Sequence, residues 1–213
     1  MAVNSSEVGG LEWTAPTEAE IRVVLRYHLE GSAASGSVIE ELWIPLTHER
    51  VDVALVDSTL KAFEIKSERD NLSRLGRQVG AYSRLFDECT VVLAERHLPL
   101  AQEMLPPWWG VWVIAEGSPV RFNQLRLPAK NPSIDCETLV RLLWRDELQQ
   151  ILTLIGERPP AKAGRAWMWA ALLKCVDQQD LRQTVAQALL RRDPASARIP
   201  TKRFLTASSA IAG

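Results

Sequence analysis

Two short apolar runs set the frame of this chain. Val51-Asp52-Val53-Ala54-Leu55-Val56 and Leu60-Lys61-Ala62-Phe63-Glu64-Ile65-Lys66 are rich in β-branched and aromatic residues, with Asp57-Ser58 between them. That pattern predicts two buried strands joined by a turn. A strand alternates its side chains between faces, so Val51, Val53 and Leu55 are expected on one side and Asp52 on the other. Glu64 and Lys66 likewise share a face opposite Phe63 and Ile65. A hairpin can thus gather Asp52, Glu64 and Lys66 at one spot.

The pattern continues on both sides of this pair. Ile21, Val24, Leu25, His28 and Leu29 recur at helical spacing after Thr17, and an apolar segment runs over 38–44. Downstream, Leu75, Val79, Tyr82 and Phe86 make the stripe of an amphipathic helix over about 73–86, with Arg74, Gln78 and Tyr82 as a polar-tipped ridge beside it. Strands are expected at 89–94 and 110–114, around a helix over 99–105 that stops at Pro106-Pro107. The alternation predicts an α/β fold, a mixed β-sheet core flanked by helices. A composition break at 128–132 then opens an all-helical stretch, with helices over 136–155, 164–176 and 177–192. The expected organisation is an α/β core over 1–127, a helical C-terminal region over 128–192, and a tail over 193–213 whose Ala, Ser and Pro content favours disorder.

Charged residues on buried strands need a reason. Two carboxylates buried side by side lose hydration and repel each other unless a cation or a proton intervenes. A divalent metal does this well, and Mg²⁺ takes one or two carboxylates with waters and phosphate oxygens completing its octahedron. Asp52 and Glu64 fit that demand. Of Lys61, Lys66, Lys130, Lys162, Lys174 and Lys202, only Lys66 has an acid two residues earlier. The plainer alternative is a strand-edge ion pair of Asp52 with Lys66, leaving Glu64 exposed.

These residues carry a family resemblance. Arg50-Val51-Asp52, Phe63-Glu64-Ile65-Lys66-Ser67 and Gln78-Val79-Gly80-Ala81-Tyr82 resemble the motifs of the PD-(D/E)XK nuclease superfamily, in its RecB and Holliday-junction-resolvase-like branch. Over about Ala19 to Arg192 the chain also looks like a bacterial and phage family of small proteins with a nuclease-like fold. The resemblance implies a restriction-endonuclease-like sheet and a Mg²⁺ or Mn²⁺ cofactor. Asp52, Glu64 and the main-chain carbonyl of Ile65 would be metal ligands, and Lys66 the catalytic lysine. Gln78 and Tyr82 would lie near the site or the substrate backbone. Val51 stands where the signature has proline. The superfamily often adds a glutamate from its first helix, and Glu20 is the candidate. Glu20 also completes a capping box with Thr17, and Glu40 and Glu41 are rivals for the third acid.

Composition adds boundaries. An apolar share of 46% with 24% charged residues belongs to a soluble globular chain. The near-zero net charge hides a gradient, acidic over 1–64 and basic over 159–213, where nine bases face only Asp177, Asp180 and Asp193. Together with Arg74 and Arg77 on the second helix, this suits nucleic-acid binding, DNA being the expected substrate. Cys89, Cys136 and Cys175 are unpaired in spacing and odd in number, which favours a reducing cytoplasm over zinc or disulfides. No signal peptide or membrane span is evident. Trp112 reads as core, and Trp108-Trp109 as packing rather than a stacking platform. The reading that follows is a metal-dependent nuclease. The alternative is a catalytically silent nuclease-fold module of a phage or mobile element, binding nucleic acid or a partner protein, with the helical region as the interface or the seat of a homodimer.

Overall fold

The hairpin predicted from the two apolar runs forms the second and third strands of a six-stranded sheet. The computed structural model describes residues 14–32 and 36–192. The strands are β1 (Ser37–Ile44), β2 (Glu49–Val56), β3 (Leu60–Lys66), β4 (Glu88–Ala94), β5 (Gly110–Ala115) and β6 (Arg121–Arg126), adjacent in chain order. β3, β4 and β5 run parallel, and the other neighbours are antiparallel, so the sheet is mixed. The β2–β3 turn closes as its residues dictate: Asp57 accepts bonds from the Thr59 amide and hydroxyl, both at 2.7 Å. β6 is absent from the sequence reading, because Arg-Phe-Asn-Gln-Leu-Arg has almost no buried position to betray it.

Each face of the sheet is covered. Helix α1 (Glu18–Ser32) lays Ile21, Leu25 and Leu29 against Val53, Leu55, Phe63, Ile65, Val92, Trp112 and Ile114. The opposite face carries α2 (Leu75–Tyr82) and α3 (Leu98–Met104). It also carries α4 (Cys136–Leu139), α5 (Arg145–Leu154), α6 (Arg165–Cys175) and α7 (Gln178–Leu190). Leu139, Leu148, Met168, Leu172, Val185 and Leu189 share one continuous core with Val91, Leu93, Val111 and Tyr82. The helical region over 128–192 therefore has no apolar core separate from the sheet's. The tail over 193–213 lies outside the described residues.

Several elements depart from the sequence reading. α2 ends at Tyr82 rather than 86, since buried Asn131 donates to the carbonyls of Ser83 and Phe86, both at 2.8 Å, and holds the chain as it leaves the helix. Arg74 is the residue before α2 rather than a member of its first turn. The helix expected over 136–155 is broken: after α4 comes a 3-10 turn (Val140–Leu142), and Leu143 and Trp144 are extended. The Trp144 amide donates to Glu147 at 2.6 Å, which starts α5 afresh. Trp109 is buried and stacked on Tyr82, as its packing role requires.

The simple alternation also fails at one place. Val53 and Leu55 face α1, yet Val51 lies in the other core with Ala54 and Val56. Across the ladder, Ile39 shares that core with Leu42 and Ile44 although 39 and 42 differ in parity. The phase changes at Glu41, which adopts a left-handed φ of 57° and faces Asp52, the pair lying between Glu40–Val53 and Leu42–Val51 in the register.

Two consequences can be measured. A Cβ on Gly110 would come within 2.7 Å of Thr90 Oγ1 and 3.0 Å of Pro128 Cδ. Gly110→Ala is expected to lose about 1–3 kcal/mol of stability, read as a lower Tm. Because sheet and C-terminal helices share a core, Met168→Ala should cost about 2–5 kcal/mol. It should lower a single unfolding midpoint that tryptophan fluorescence and circular dichroism report together.

Candidate functional site

The site begins where β2 and β3 part. Their ladder runs from Val56–Leu60 to Val53–Phe63 and stops there, while β3 continues beside β4 as far as Lys66–Leu93. The Ile65 amide, having lost a strand partner, donates instead to Asp52 Oδ2 at 2.7 Å. Asp52 thus stands at the fork. Glu64 and Lys66 come from the same stretch of β3, on the face toward α2, and Lys66 Nζ donates to Glu64 Oε1 at 2.7 Å. α2 supplies the other wall. The Tyr82 hydroxyl lies 2.5 Å from Glu64 Oε2 and 2.8 Å from the carbonyl oxygen of Arg50, and the Gln78 side chain, also at the cavity, acts on Glu64 against its burial.

A cavity of about 210 Å³ opens on this cluster. Asp52, Glu64, Lys66 and Gln78 form part of its wall, and Ile65, whose side chain belongs to the core against α1, borders it through the main chain. Glu18, Asp70, Asn71, Ser73 and Arg74 complete the lining. The hairpin therefore does gather Asp52, Glu64 and Lys66, and Glu64 is buried rather than exposed, which removes the strand-edge reading.

Burial shapes the charges. Desolvation, with the nearby Glu64 carboxylate adding to it, pushes the Asp52 carboxyl up to about 8, despite the Ile65 amide bond. Burial raises Glu64 too, against the pull of Lys66. Tyr82 is pushed far above the ordinary phenol range by burial and by Glu64. The Tyr82 hydroxyl has one proton for two acceptor oxygens. A proton on Glu64 would satisfy both contacts, Glu64 donating to Tyr82 and Tyr82 to Arg50.

Not every expected residue arrives. Glu20 does its capping work instead: Thr17 donates to its Oε2 from the amide at 2.7 Å and the hydroxyl at 2.8 Å, and these bonds lower the Glu20 carboxyl. It is exposed and does not line the cavity. The helical acid at the cavity is Glu18, which lies seven residues, nearly two full turns, before Leu25 and so belongs to the buried stripe, whereas Glu20 is in line with exposed Tyr27. The apolar stripe of α1 held the signal that chooses between them. Glu40 pairs loosely with Arg26 at 3.8 Å, and Glu41 brings a carboxylate oxygen within 4.8 Å of one of Asp52. Arg74 lines the cavity and donates to buried Glu49 at 2.8 Å; Arg77 is exposed, 3.5 Å from the same Glu49, and is not part of the wall. Glu49 had no marker in the sequence beyond its place at a strand start.

Fold and cavity together define a mixed α/β protein with a buried acid, a partly buried acid and a lysine at the fork of its sheet. The chain belongs to the bacteriophage P4 protein cII family, whose family model matches residues 13–205. Protein cII of Enterobacteria phage P4 is 25% identical over 140 residues, which cover 65% of this chain and 53% of that protein. The chain thus spans about half the length of this curated relative. Among solved structures, a protein of unknown function from Silicibacter pomeroyi is similar at 19% identity and a TM-score of 0.41, covering 68% of this chain and 92% of that one, a likeness too distant to carry an argument. Among the described residues, no helix is long and apolar enough to cross a membrane.

The Asp52 environment makes a prediction with a definite sign. Its folded pKa lies above the ordinary 3.8, so as pH rises the unfolded chain releases this proton first. Stability should therefore fall progressively between about pH 4 and pH 8 and level off above, by a few kcal/mol in all. Asp52→Asn keeps an acceptor for the Ile65 amide and removes the titration. In denaturant titrations without metal it should be more stable than the parent at pH 8 and show a flatter pH profile.

Proposed function

We propose that this protein is a metal-dependent nuclease of the PD-(D/E)XK type, acting on phosphodiester bonds, most naturally in DNA. The observation that carries the reading is the convergence of Asp52, Glu64 and Lys66 on one cavity. The residues fit a divalent cation. The Asp52 and Glu64 carboxyls are both held above their usual range by loss of water, and Gln78 Oε1 is buried without a partner at the same wall, an unfilled acceptor that a cation could bind or its water could donate to. Asp52, Glu64 and the Ile65 carbonyl would hold Mg²⁺ or Mn²⁺, which when bound supplies Lewis acidity and a lowered pKa for coordinated water.

The chain's own groups have separable tasks in this reading. Asp52 is positioned by the Ile65 amide and Glu64 by Tyr82, so a cation would meet carboxylates already fixed in place once Lys66 gave up Glu64 Oε1. Lys66, released from Glu64 once that oxygen is taken, provides a positive charge for the attacking water or for the oxygens of the phosphate. Arg74 at the cavity and Arg77 outside it are suited to neighbouring phosphates of the strand.

A second reading has its own support. Both Glu64 oxygens are already engaged, Oε1 by Lys66 and Oε2 by Tyr82, and the chain belongs to a phage protein family. On that reading the site is a self-satisfied polar core, and the protein is a silent nuclease-fold module that binds nucleic acid or a partner.

Metal and cleavage assays separate the two. On the nuclease reading, Mn²⁺ raises the Tm of the parent at pH 8 but not that of Asp52→Asn, and cleavage of linear, branched or single-stranded DNA falls at least about 100-fold in Asp52→Asn and Lys66→Ala. Absence of cleavage and of any metal-dependent Tm shift, with DNA binding intact in all three proteins, would leave the silent module.

A further inference from the structure

A second group of acids lies beside Asp52, on the α1 side of the fork. Oxygens of Glu18, Glu41 and Asp52 all fall within 4.8 Å of one another, a spacing that would suit a metal ion. A cation is already there. Arg22 Nη2 pairs with Glu18, lies 2.8 Å from Glu41 Oε1 and 3.9 Å from Asp52 Oδ1. All three contacts use the same nitrogen. A guanidinium usually meets carboxylates with its full fork, yet here one tip serves three acids while Arg22 Nε is buried with no partner. The carboxylates, rather than the fork's own bonding, fix where that tip sits.

The backbone is arranged for the same end. Glu41 occupies its left-handed conformation opposite Asp52, and Arg50 holds its other oxygen at 2.8 Å, leaving Oε1 for Arg22. Glu18 and Arg22 are one helical turn apart on α1, so the helix carries both an acid and its counter-ion to the strand acids.

We infer that Arg22 is the resident cation of the Glu18–Glu41–Asp52 group and excludes a divalent ion from it, so that this chain takes metal only on the Glu64 side of Asp52. A guanidinium keeps its proton throughout the physiological range, so it is a fixed charge tethered by its own helix. It neutralises the acids without opening a second metal position. The inference about the Glu64 side rests on the proposed nuclease reading; the exclusion at Glu41 does not.

The test counts Mn²⁺ ions by calorimetry in the folded full chain and in Arg22→Gln, Arg22→Lys and Arg22→Gln/Glu41→Gln. Arg22→Gln is expected to bind one more ion than the parent, Arg22→Lys the same number as the parent, and the double variant to lose the added ion. A parent that binds one ion, lost in Glu64→Gln, supports the nuclease site as well. A parent that binds none, with the extra Glu41-dependent ion still appearing in Arg22→Gln, upholds the exclusion while the nuclease reading fails. No added ion in a folded Arg22→Gln overturns the inference. Should that variant not fold, Glu41→Gln decides it in the parent background: an unchanged ion count with a weaker hold on Arg22, seen as a lowered Tm, supports the exclusion, and loss of an ion overturns it.

Discussion

The hydrogen bond from the Ile65 amide to the Asp52 carboxyl governs the rest of the site. Strands β2 and β3 cannot separate inside a sheet without leaving main-chain groups unpaired, and an unpaired buried amide costs about as much as a lost hydrogen bond. Asp52 supplies the missing acceptor, so the strands part and a side chain takes the place of a ladder bond. The gap that results is the cavity. Glu64 and Lys66 border it because they follow on β3, and α2 can reach in with Gln78 and Tyr82 because β2 has moved aside.

Much of this was legible in the chain. The two apolar runs fixed the hairpin, and the acids and lysine on them foretold the cluster, because a buried charge on a strand leaves few explanations. The helical stripes of α1 and α2 were equally plain. The phase change at Glu41 was not, since a left-handed residue inside a strand leaves no trace in a polar-apolar pattern, and Val51 was assigned to the wrong side for that reason. The break at Leu143 and Trp144 escaped for a related cause. The run over 136–155 keeps its helical spacing on both sides of the break, and only the capping bond of Glu147 reveals a new start. β6 was missed because an exposed strand carries no buried period.

Charge at the fork is handled in two ways within one small volume. On the α2 side, Glu64 meets a lysine and a phenol and is held above its usual carboxyl range by burial. On the α1 side, Arg22 meets three acids from one nitrogen. Asp52 belongs to both groups. Whatever occupies one side alters the field felt by the other, and this makes Asp52 the residue through which the two halves are coupled.

Asp87 has a consequence of a different kind. Buried just before β4, its carboxylate accepts the Leu60 amide at 2.9 Å and faces Arg182 of α7 at 3.3 Å, while its carbonyl accepts the Asn131 amide at 2.7 Å. One residue thereby ties together segments separated by 95 positions in the chain. A ribosome making this protein must release everything as far as Arg182 of α7 before that charge meets its counter-ion. Until then the Asp87 carboxylate has the Leu60 amide as a partner but no counter-charge, and the part of the sheet face that α7 covers stays open.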